Sequence, residues 1–516
     1  MLKKLRKILS LLFFLLTLIV FLDFSNSVPQ SLRDGVLFLQ FVPSLLKFTS
    51  ILGVASSGFI VVILLTLLFG RIYCSVVCPL GILQDIIAWF SKKLGKKLPY
   101  KYLRPANVLK YTVLAVTGVL MIAGSIFLLI QLDPFGIFGR MATQLIKPLY
   151  IMSNNLVAGF LAKYDNYSLY HVDYKGFHRF TFVYSLSFLG LIFWFAFYKG
   201  RLYCNSICPV GTLLGLVSKA SLIRIKLDKD SCTSCGLCEK ICKSGCIDTV
   251  QKKVDISRCV DCYNCLKICP QDAIKYGIVP ILKDKAGCTG VDREKREFIN
   301  KTIIGIAGLT GLSRLATAKN NGNRTIPALS ESTVVSPPGS QSISHLNKTC
   351  IACHLCVSSC PTRVLQPSFL EYGFLYIMQP RMDFRTNFCN YECTVCSEVC
   401  PSGAILPFKP GEKLTVQTGV AKFIKARCVV ETEGTDCGAC SEHCPTKAVK
   451  MVPYGNVFLP DVDEKICVGC GACEYACPVE PLRAIYIDGH SVHQTAQKPE
   501  TVKQDREDAS DDDFPF

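Results

Sequence analysis

Four long apolar stretches mark the first 200 residues, at roughly 7–24, 50–70, 108–131 and 180–198. Each comes near the ~20 apolar residues that carry an α-helix across a bilayer, so the pattern predicts four transmembrane helices. Lysines and arginines gather beside them, at Lys3, Lys4, Arg6 and Lys7 and again at Lys92, Lys93, Lys96, Lys97, Lys101 and Arg104. Basic flanks stay on the cytoplasmic side. That rule puts the N-terminus and loop 71–107 inside, loops 25–49 and 132–179 outside, and the chain after Lys199 inside again. The first stretch also reads as a signal peptide cut near Ser25-Asn26-Ser27, which would leave the later sidedness unchanged.

Beyond residue 220 the long apolar runs give way to short apolar pieces between groups of cysteine. The chain has 516 residues, enough for several domains, and 30 cysteines. Neighbours this close pair poorly as disulfides, and runs spaced by two or three residues and ending in Cys-Pro point to metal. The formal charge of +17 would suit nucleic acid, but the charge lies beside the apolar spans and gives orientation instead. No nucleic-acid partner is expected.

Residues 232–242 read CTSCGLCEKIC and 259–270 read CVDCYNCLKICP. Both have the C-x2-C-x2-C-x3-C spacing in which three thiolates of one loop hold three irons of a 4Fe-4S cube and a remote cysteine holds the fourth. Cys232, Cys235 and Cys238 are expected to share a cluster with Cys269, and Cys259, Cys262 and Cys265 one with Cys242. Cys242 is followed by Lys243 instead of proline, and Cys246 is a second candidate for its place; spacing favours Cys242. Zinc sites more often use two separated pairs.

Four further runs follow: Cys350, Cys353, Cys356 and Cys360; Cys389, Cys393, Cys396 and Cys400; Cys428, Cys437, Cys440 and Cys444; and Cys467, Cys470, Cys473 and Cys477. Sixteen ligands imply four clusters, six with the first pair. The outer two runs are expected to exchange their last cysteines, Cys477 and Cys360, and the inner two theirs, Cys444 and Cys400. His354 and His443 fall inside runs whose cysteine sets are already complete, so neither is expected to be a ligand. Cys288 stands alone and has no expected role.

The membrane half contains a repeat. Residues 71–81 read RIYCSVVCPLG and 201–211 read RLYCNSICPVG. Each follows an apolar span, so Cys74, Cys78, Cys204 and Cys208 are expected at one depth. Together they would hold a seventh cluster or cycle through disulfides; the cluster is the favoured reading. None of the seven histidines lies in a span and no Cys-x-x-Cys-His exists, so no haem is expected on its usual ligands. Residues 295–301, KREFINK, then a mild apolar run to Ala318, read as a twin-arginine-like export signal or a short helix. An Asn/Ser/Pro/Gly-rich linker follows to about 345, and an acidic tail closes the chain.

The expected architecture is therefore multidomain. An α-helical membrane domain (1–220) precedes an α+β bacterial-ferredoxin-like two-cluster domain (221–285). A twin-arginine-like or transmembrane segment and linker (286–345) lead to a second ferredoxin-like domain with four clusters (346–493) and a disordered tail (494–516). Residues 1–285, with the paired C-x3-CP motifs and two cysteine runs, resemble the NapH-type membrane component of quinol dehydrogenases, whose core NosR-like regulators share. Residues 290–490 look like a NapG-type ferredoxin fused to it. The resemblance implies a bacterial inner-membrane protein that oxidises quinol from the quinol pool and passes electrons to a periplasmic reductase or soluble carrier, with the second domain periplasmic. Asp133, in DPFGIFGR, is a candidate proton acceptor, with a plain helix-ending Asp-Pro turn as the other reading. A redox regulator or maturation factor, and a cytoplasm-facing metal reductase, are the competing functions.

Overall fold

The computed structural model describes residues 2–23, 26–51, 53, 56–93, 100–172, 178–278 and 333–498. The export-like segment 295–318, Cys288 and the tail from 499 lie outside the described residues.

The membrane half is a helical bundle. Among its helices α1 (Leu2–Leu22) and the helix Arg179–Lys199 match two expected spans in full. The other two expected spans are cut short. The second is a helix of 12 residues, Gly58–Phe69, and the third one of 16, Asn107–Ile122, broken from Phe127–Leu132 at Gly124, whose φ is +82°. At ~1.5 Å per residue these reach only about 18 and 24 Å, less than the ~30 Å of bilayer hydrocarbon. A third long apolar helix instead runs over Pro134–Ala162, within what the charge rule makes an outer loop. Among the described residues three helices are thus long and apolar enough to cross a membrane, and a fourth is not clear. No more than 28 % of any of them is buried in the protein, which leaves most of an apolar surface for lipid.

In chain order the helices are α1, α2 (Gln30–Phe38), α3 (Phe41–Ser50), α4 (Gly58–Phe69), α5 (Tyr73–Val76), α6 (Pro79–Lys93), α7 (Asn107–Ile122), α8 (Phe127–Leu132), α9 (Pro134–Met141), α10 (Lys147–Ala162), α11 (Arg179–Lys199), α12 (Leu202–Ser206) and α13 (Pro209–Ser218). A π-helical turn, Ala142–Ile146, joins α9 to α10. Loop 25–49 is therefore largely the hairpin α2–α3.

The two cysteine-rich domains occupy opposite ends of this bundle. At the start of α1, Lys3 lies among the charges of Lys243, Cys262 and Lys267 of the first domain. At its end, the Phe21 carbonyl accepts from the Ser358 hydroxyl of the second at 2.5 Å. On α11 the order is reversed: the Phe180 ring packs on Phe369 at 4.2 Å, and Gly200 approaches the Lys243 carbonyl. Ile278 and Thr333, which flank the undescribed segment, belong one to each end: Ile278 pairs with Ile223, and Thr333 bonds Asp488.

The first domain is small. Strands β1 (Ile223–Leu227) and β4 (Ile274–Ile278) pair antiparallel, as do β2 (Ile247–Asp248) and β3 (Lys253–Val254), around a separate core of Ile225, Ile247, Ile274 and five cysteines. The second domain has two modules. Its first has a hairpin of β5 (Leu365–Pro367) and β6 (Pro380–Met382); its second pairs β8 (Val449–Tyr454) with β9 (Val457–Val462). Strands β7 (Val416–Phe423) and β10 (Ile485–Thr495) pair across them. The second domain shares one continuous apolar core with the helices, from Phe21, Phe138 and Leu214 to Ile351, Met378 and Ile487.

Candidate metal centres

In the first domain, one cavity of about 340 Å³ is lined by Cys232, Cys235, Cys238 and Cys269. A second, of about 320 Å³, is lined by Cys242, Cys246, Cys259, Cys262 and Cys265. The structure therefore brings together the sets expected from the spacing, with a fifth thiol in the second. Cys246 Sγ lies 3.5 Å from Cys242 Sγ, so the two compete for one place. Lys243, which replaces the usual proline, has its own task. Its amine pairs with Asp85 at 3.3 Å and its carbonyl accepts from Arg201 N at 3.0 Å, tying the domain to the bundle.

In the second domain the partners differ from the expected exchange. Burial pushes up the thiols of Cys350, Cys353 and Cys356, and Cys400 is among the neighbours that push them further. Cys389 and Cys396 are raised by burial and then by Cys360 among others. Cys428, Cys437, Cys440 and Cys477 line one cavity of about 350 Å³. Cys467, Cys470 and Cys473 stand with Cys444, whose charge raises each of them after burial. Neighbouring runs thus exchange, first with second and third with fourth, in place of outer with outer and inner with inner. The reason is local: the hairpins β5–β6 and β8–β9 each fold one run back on the next, and that closes a short loop at less entropic cost than joining the first run to the last.

Among the described residues no three His, Cys, Asp or Glu side chains converge as the ligands of one ion would. At three of the sets the thiols ring a cavity, and three thiols of one loop completed by a remote fourth are the ligand pattern of a 4Fe-4S cube rather than of a zinc ion. His354 is buried, with its Nε2 2.9 Å from the Met378 carbonyl and Nδ1 3.5 Å from Gln144 Nε2. It joins the second domain to the π-helical turn and is no ligand. His443 turns its Nδ1 to its own helix, at Ala439.

The repeat in the membrane half folds into a pseudo-twofold site. Gly70 and Gly200 end α4 and α11 with φ of +80° and +66°. A Cβ on either would meet the first domain, at Asp261 Oδ2 and at the Lys243 carbonyl, so only glycine permits this approach. The arginines after them cross over. Arg71 donates to the Cys204 carbonyl at 3.1 Å and Arg201 to the Cys74 carbonyl. Tyr73 accepts from Phe41 N at 3.3 Å at the tip of α2–α3, while Tyr203 donates to the Leu132 carbonyl at 2.8 Å where α8 meets α9. Pro79 and Pro209 open α6 and α13, and Cys78 and Cys208 accept from Gly81 N and Gly211 N at those helix starts. A Cβ on Gly81 or Gly211 would lie 2.3 Å from the carbonyl of Cys74 or Cys204, which explains the glycine in both frames.

Cys74, Cys78, Cys204 and Cys208 are each 3–4 % exposed and lie within electrostatic reach of one another. Gln84 Nε2 donates to Cys204 Sγ at 3.3 Å and Arg71 reaches Cys74 Sγ at 3.8 Å. Four thiols, two buried guanidinium groups and two helix N-termini make a site fitted to an anionic tetrathiolate cluster. Arg71 also donates to the Ser257 carbonyl at 2.9 Å, two residues before Cys259, so this site adjoins the first domain's second cavity.

Asp133 is 1 % exposed and caps α9, accepting from Gly136 N at 2.6 Å. It serves as the helix-starting turn and presents no open carboxylate. Sequence reasoning missed Asp85, on α6, which meets Arg6 at 3.1 Å, Arg201 at 3.0 Å and Lys243 at 3.3 Å. Burial opposes its ionisation, but the three cations outweigh it and hold the carboxyl well below the usual carboxylate range.

The comparisons with known proteins follow the same division. A family model described as a 4Fe-4S binding domain matches residues 51–97 and 181–229, each holding one C-x3-CP pair and no other cysteine. A 4Fe-4S dicluster domain model matches 349–404 and 435–480, and another 4Fe-4S binding domain model matches 252–275. The methylamine utilization ferredoxin-type protein MauN of Methylorubrum extorquens is 27 % identical over 37 % of this chain and 54 % of its own length. The ferredoxin-type protein NapH of Haemophilus influenzae is 26 % identical over 36 % of this chain and 51 % of its own. The ferredoxin-type protein MauM of Methylobacillus flagellatus is 26 % identical over 35 % of this chain and 77 % of its own. The chain spans about half the length of the first two relatives. No solved structure matches. The duplicated C-x3-CP frame, the repeated 4Fe-4S binding domains and these relatives mark the chain as similar to the NapH- and MauN-type ferredoxin-type proteins.

Proposed function

We propose that this protein, held in a bacterial inner membrane, oxidises quinol and passes the electrons through its iron–sulfur clusters to a reductase on the periplasmic side. One observation carries the reading: the thiol sets succeed one another from one end of the bundle to the other. The sets of the first domain lead to the four C-x3-CP thiols through Arg71. From there the Tyr203–Leu132 bond and the cap at Asp133 lead to the set of Cys350, Cys353, Cys356 and Cys400. There Arg140 donates to the Ala352 carbonyl at 3.4 Å, and Gly139 leaves no room for a Cβ against the Cys353 carbonyl. Within the second domain the sets adjoin in turn. Cys356 lies near Cys396, Cys389 N donates to the Cys470 carbonyl at 2.9 Å, and Cys473 lies near Cys440.

Six clusters fill the cysteine runs in this reading, and a seventh the C-x3-CP site. When bound, such clusters supply one-electron carriers whose potentials the protein sets by burial and hydrogen bonds to sulfur. The chain's residues hold the thiolates, keep water from the central site and balance its charge with Arg71 and Arg201. The first domain is on the cytoplasmic side by its lysines, which leaves the second in the periplasm.

Anaerobic addition of quinol to the purified protein tests the reading. The broad visible absorbance of the clusters is expected to bleach within a catalytic timescale; a regulator would leave it unchanged. A C-terminal reporter that works only outside the membrane is expected to be active, and silence at full expression would put the second domain inside. A soluble carrier at the inner end is a second reading, favoured by Cys235, the one exposed cysteine among those described.

A further inference from the structure

A cleft of about 780 Å³, counted with the solvent at its mouth, lies between the hairpin α2–α3 and the second cysteine run of the second domain. Of this about 290 Å³ would take a ligand, near the lower end of the range for small-molecule sites, against about 20 Å³ or less in the thiol-lined cavities. Leu37 and Phe38 give it apolar walls; Asp34, Lys47 and Glu398 bring charge to it, and Cys400 borders it. From this lining we infer that the cleft binds the quinol ring. The inference rests on the quinol reading above and gives it a place.

Three features of the cleft match what a quinol needs. Its ring is flat and apolar and arrives from lipid; α2 starts eight residues after α1 ends, at the limit of a membrane-long helix. Its oxidation releases two protons, and Asp34 is an exposed carboxylate able to accept them in turn and pass them to water. Its electrons need an acceptor close by, and Cys400 belongs to the set of Cys350, Cys353 and Cys356. The balance is simple. Two O–H bonds of the quinol break, the two protons leave in turn through Asp34 to water, and the two electrons would leave one at a time for the iron–sulfur clusters of the second domain, the nearest of which Cys400 would help hold. Quinone then departs. Lys47 is placed to donate to a ring oxygen. Asp133, capped and closed off, takes no part.

Gly35 supplies the test. It lines the cleft, and a Cβ built on it meets nothing within 4 Å, so Gly35→Phe adds bulk at the cleft from a position with open space at its base. Gly190→Phe, at another open glycine on α11, is the control. The full-length holoprotein is titrated with a short-tailed benzoquinone and a short-tailed naphthoquinone, and binding is read by equilibrium dialysis on the oxidised protein, apart from any turnover. Gly35→Phe is expected to weaken binding at least tenfold and to slow quinol bleaching as much, with iron content and unfolding temperature held; Gly190→Phe changes neither. Asp34→Asn is expected to keep binding within twofold but to slow bleaching. Should Gly35→Phe fail to fold, a photoreactive quinone on the wild type decides: label within 30–50 or 395–405 supports the site, and label elsewhere overturns it. Wild-type binding and bleaching that survive in Gly35→Phe overturn the site but leave the quinol reading standing. A wild type that neither binds nor bleaches ends that reading too. Loss of a co-purified phospholipid in Gly35→Phe, with quinone binding intact, makes the cleft a lipid site instead.

Discussion

The two cysteine-rich domains dock on the same helical bundle by different physics. The first keeps its own small core and meets the helices through a polar seam: Arg71 to Ser257, Asn205 to Ser244, and Asp85 with Lys243. The second has merged its core with theirs, so Phe21, Phe135 and Phe138 pack as if inside one domain with Ile351 and Leu355. A polar seam stakes its strength on a few buried charges that must all be matched. An apolar seam spreads its strength over many contacts and tolerates single losses better.

Breaking each seam in turn tests that contrast. Asp85→Asn leaves the buried Arg6 and Arg201 and the half-buried Lys243 with no carboxylate among them. Removing one partner of a buried pair typically costs about 3–5 kcal/mol, so thermal unfolding in detergent is expected to show an early loss of the first domain. Gly139→Val strikes the other seam, because a Cβ there would lie 2.3 Å from the Cys353 carbonyl and 2.7 Å from the Phe21 ring. Overpacking of this kind costs about 1–3 kcal/mol, and protease sensitivity is expected at the second domain while the first stays protected. Cys400→Ser is expected to remove one cluster's iron and the paramagnetic signal of the set with Cys350, leaving the set of Cys428, Cys437, Cys440 and Cys477 whole. Loss of the Cys428 set instead would restore the inner-run exchange. The smallest effect is expected at Cys246→Ser, with iron content unchanged, whereas Cys242→Ser loses iron from the first domain.

The same contrast explains what could be read from the letters alone. A run such as CIACHLCVSSCP carries three thiolates on one tight loop, so local geometry declares the chemistry before any folding is known. The fourth ligand comes from elsewhere, and its choice was not legible: only the hairpins β5–β6 and β8–β9 decide that Cys400 joins Cys350 and Cys477 joins Cys428. The C-x3-CP repeat announced that four thiols belong together. The reason for each letter of its frame appears only once Arg71 and Arg201 cross and the Gly81 and Gly211 helices close on the opposing motif. Apolar length alone did not place the helix ends, because hydropathy does not register that Gly124 breaks a helix or that α4 begins only at Gly58.

By itself the sequence determined the cluster chemistry, the membrane attachment and the repeat, because ligand spacing, apolar length and duplicated motifs are properties of neighbouring residues. Tertiary structure decided which runs share a cluster, that Asp133 is a cap, that Asp85 holds three elements together, and that Asp34, Glu398 and Cys400 border one cleft. Those facts depend on segments hundreds of residues apart meeting in space, and a linear pattern has no term for distance across a fold.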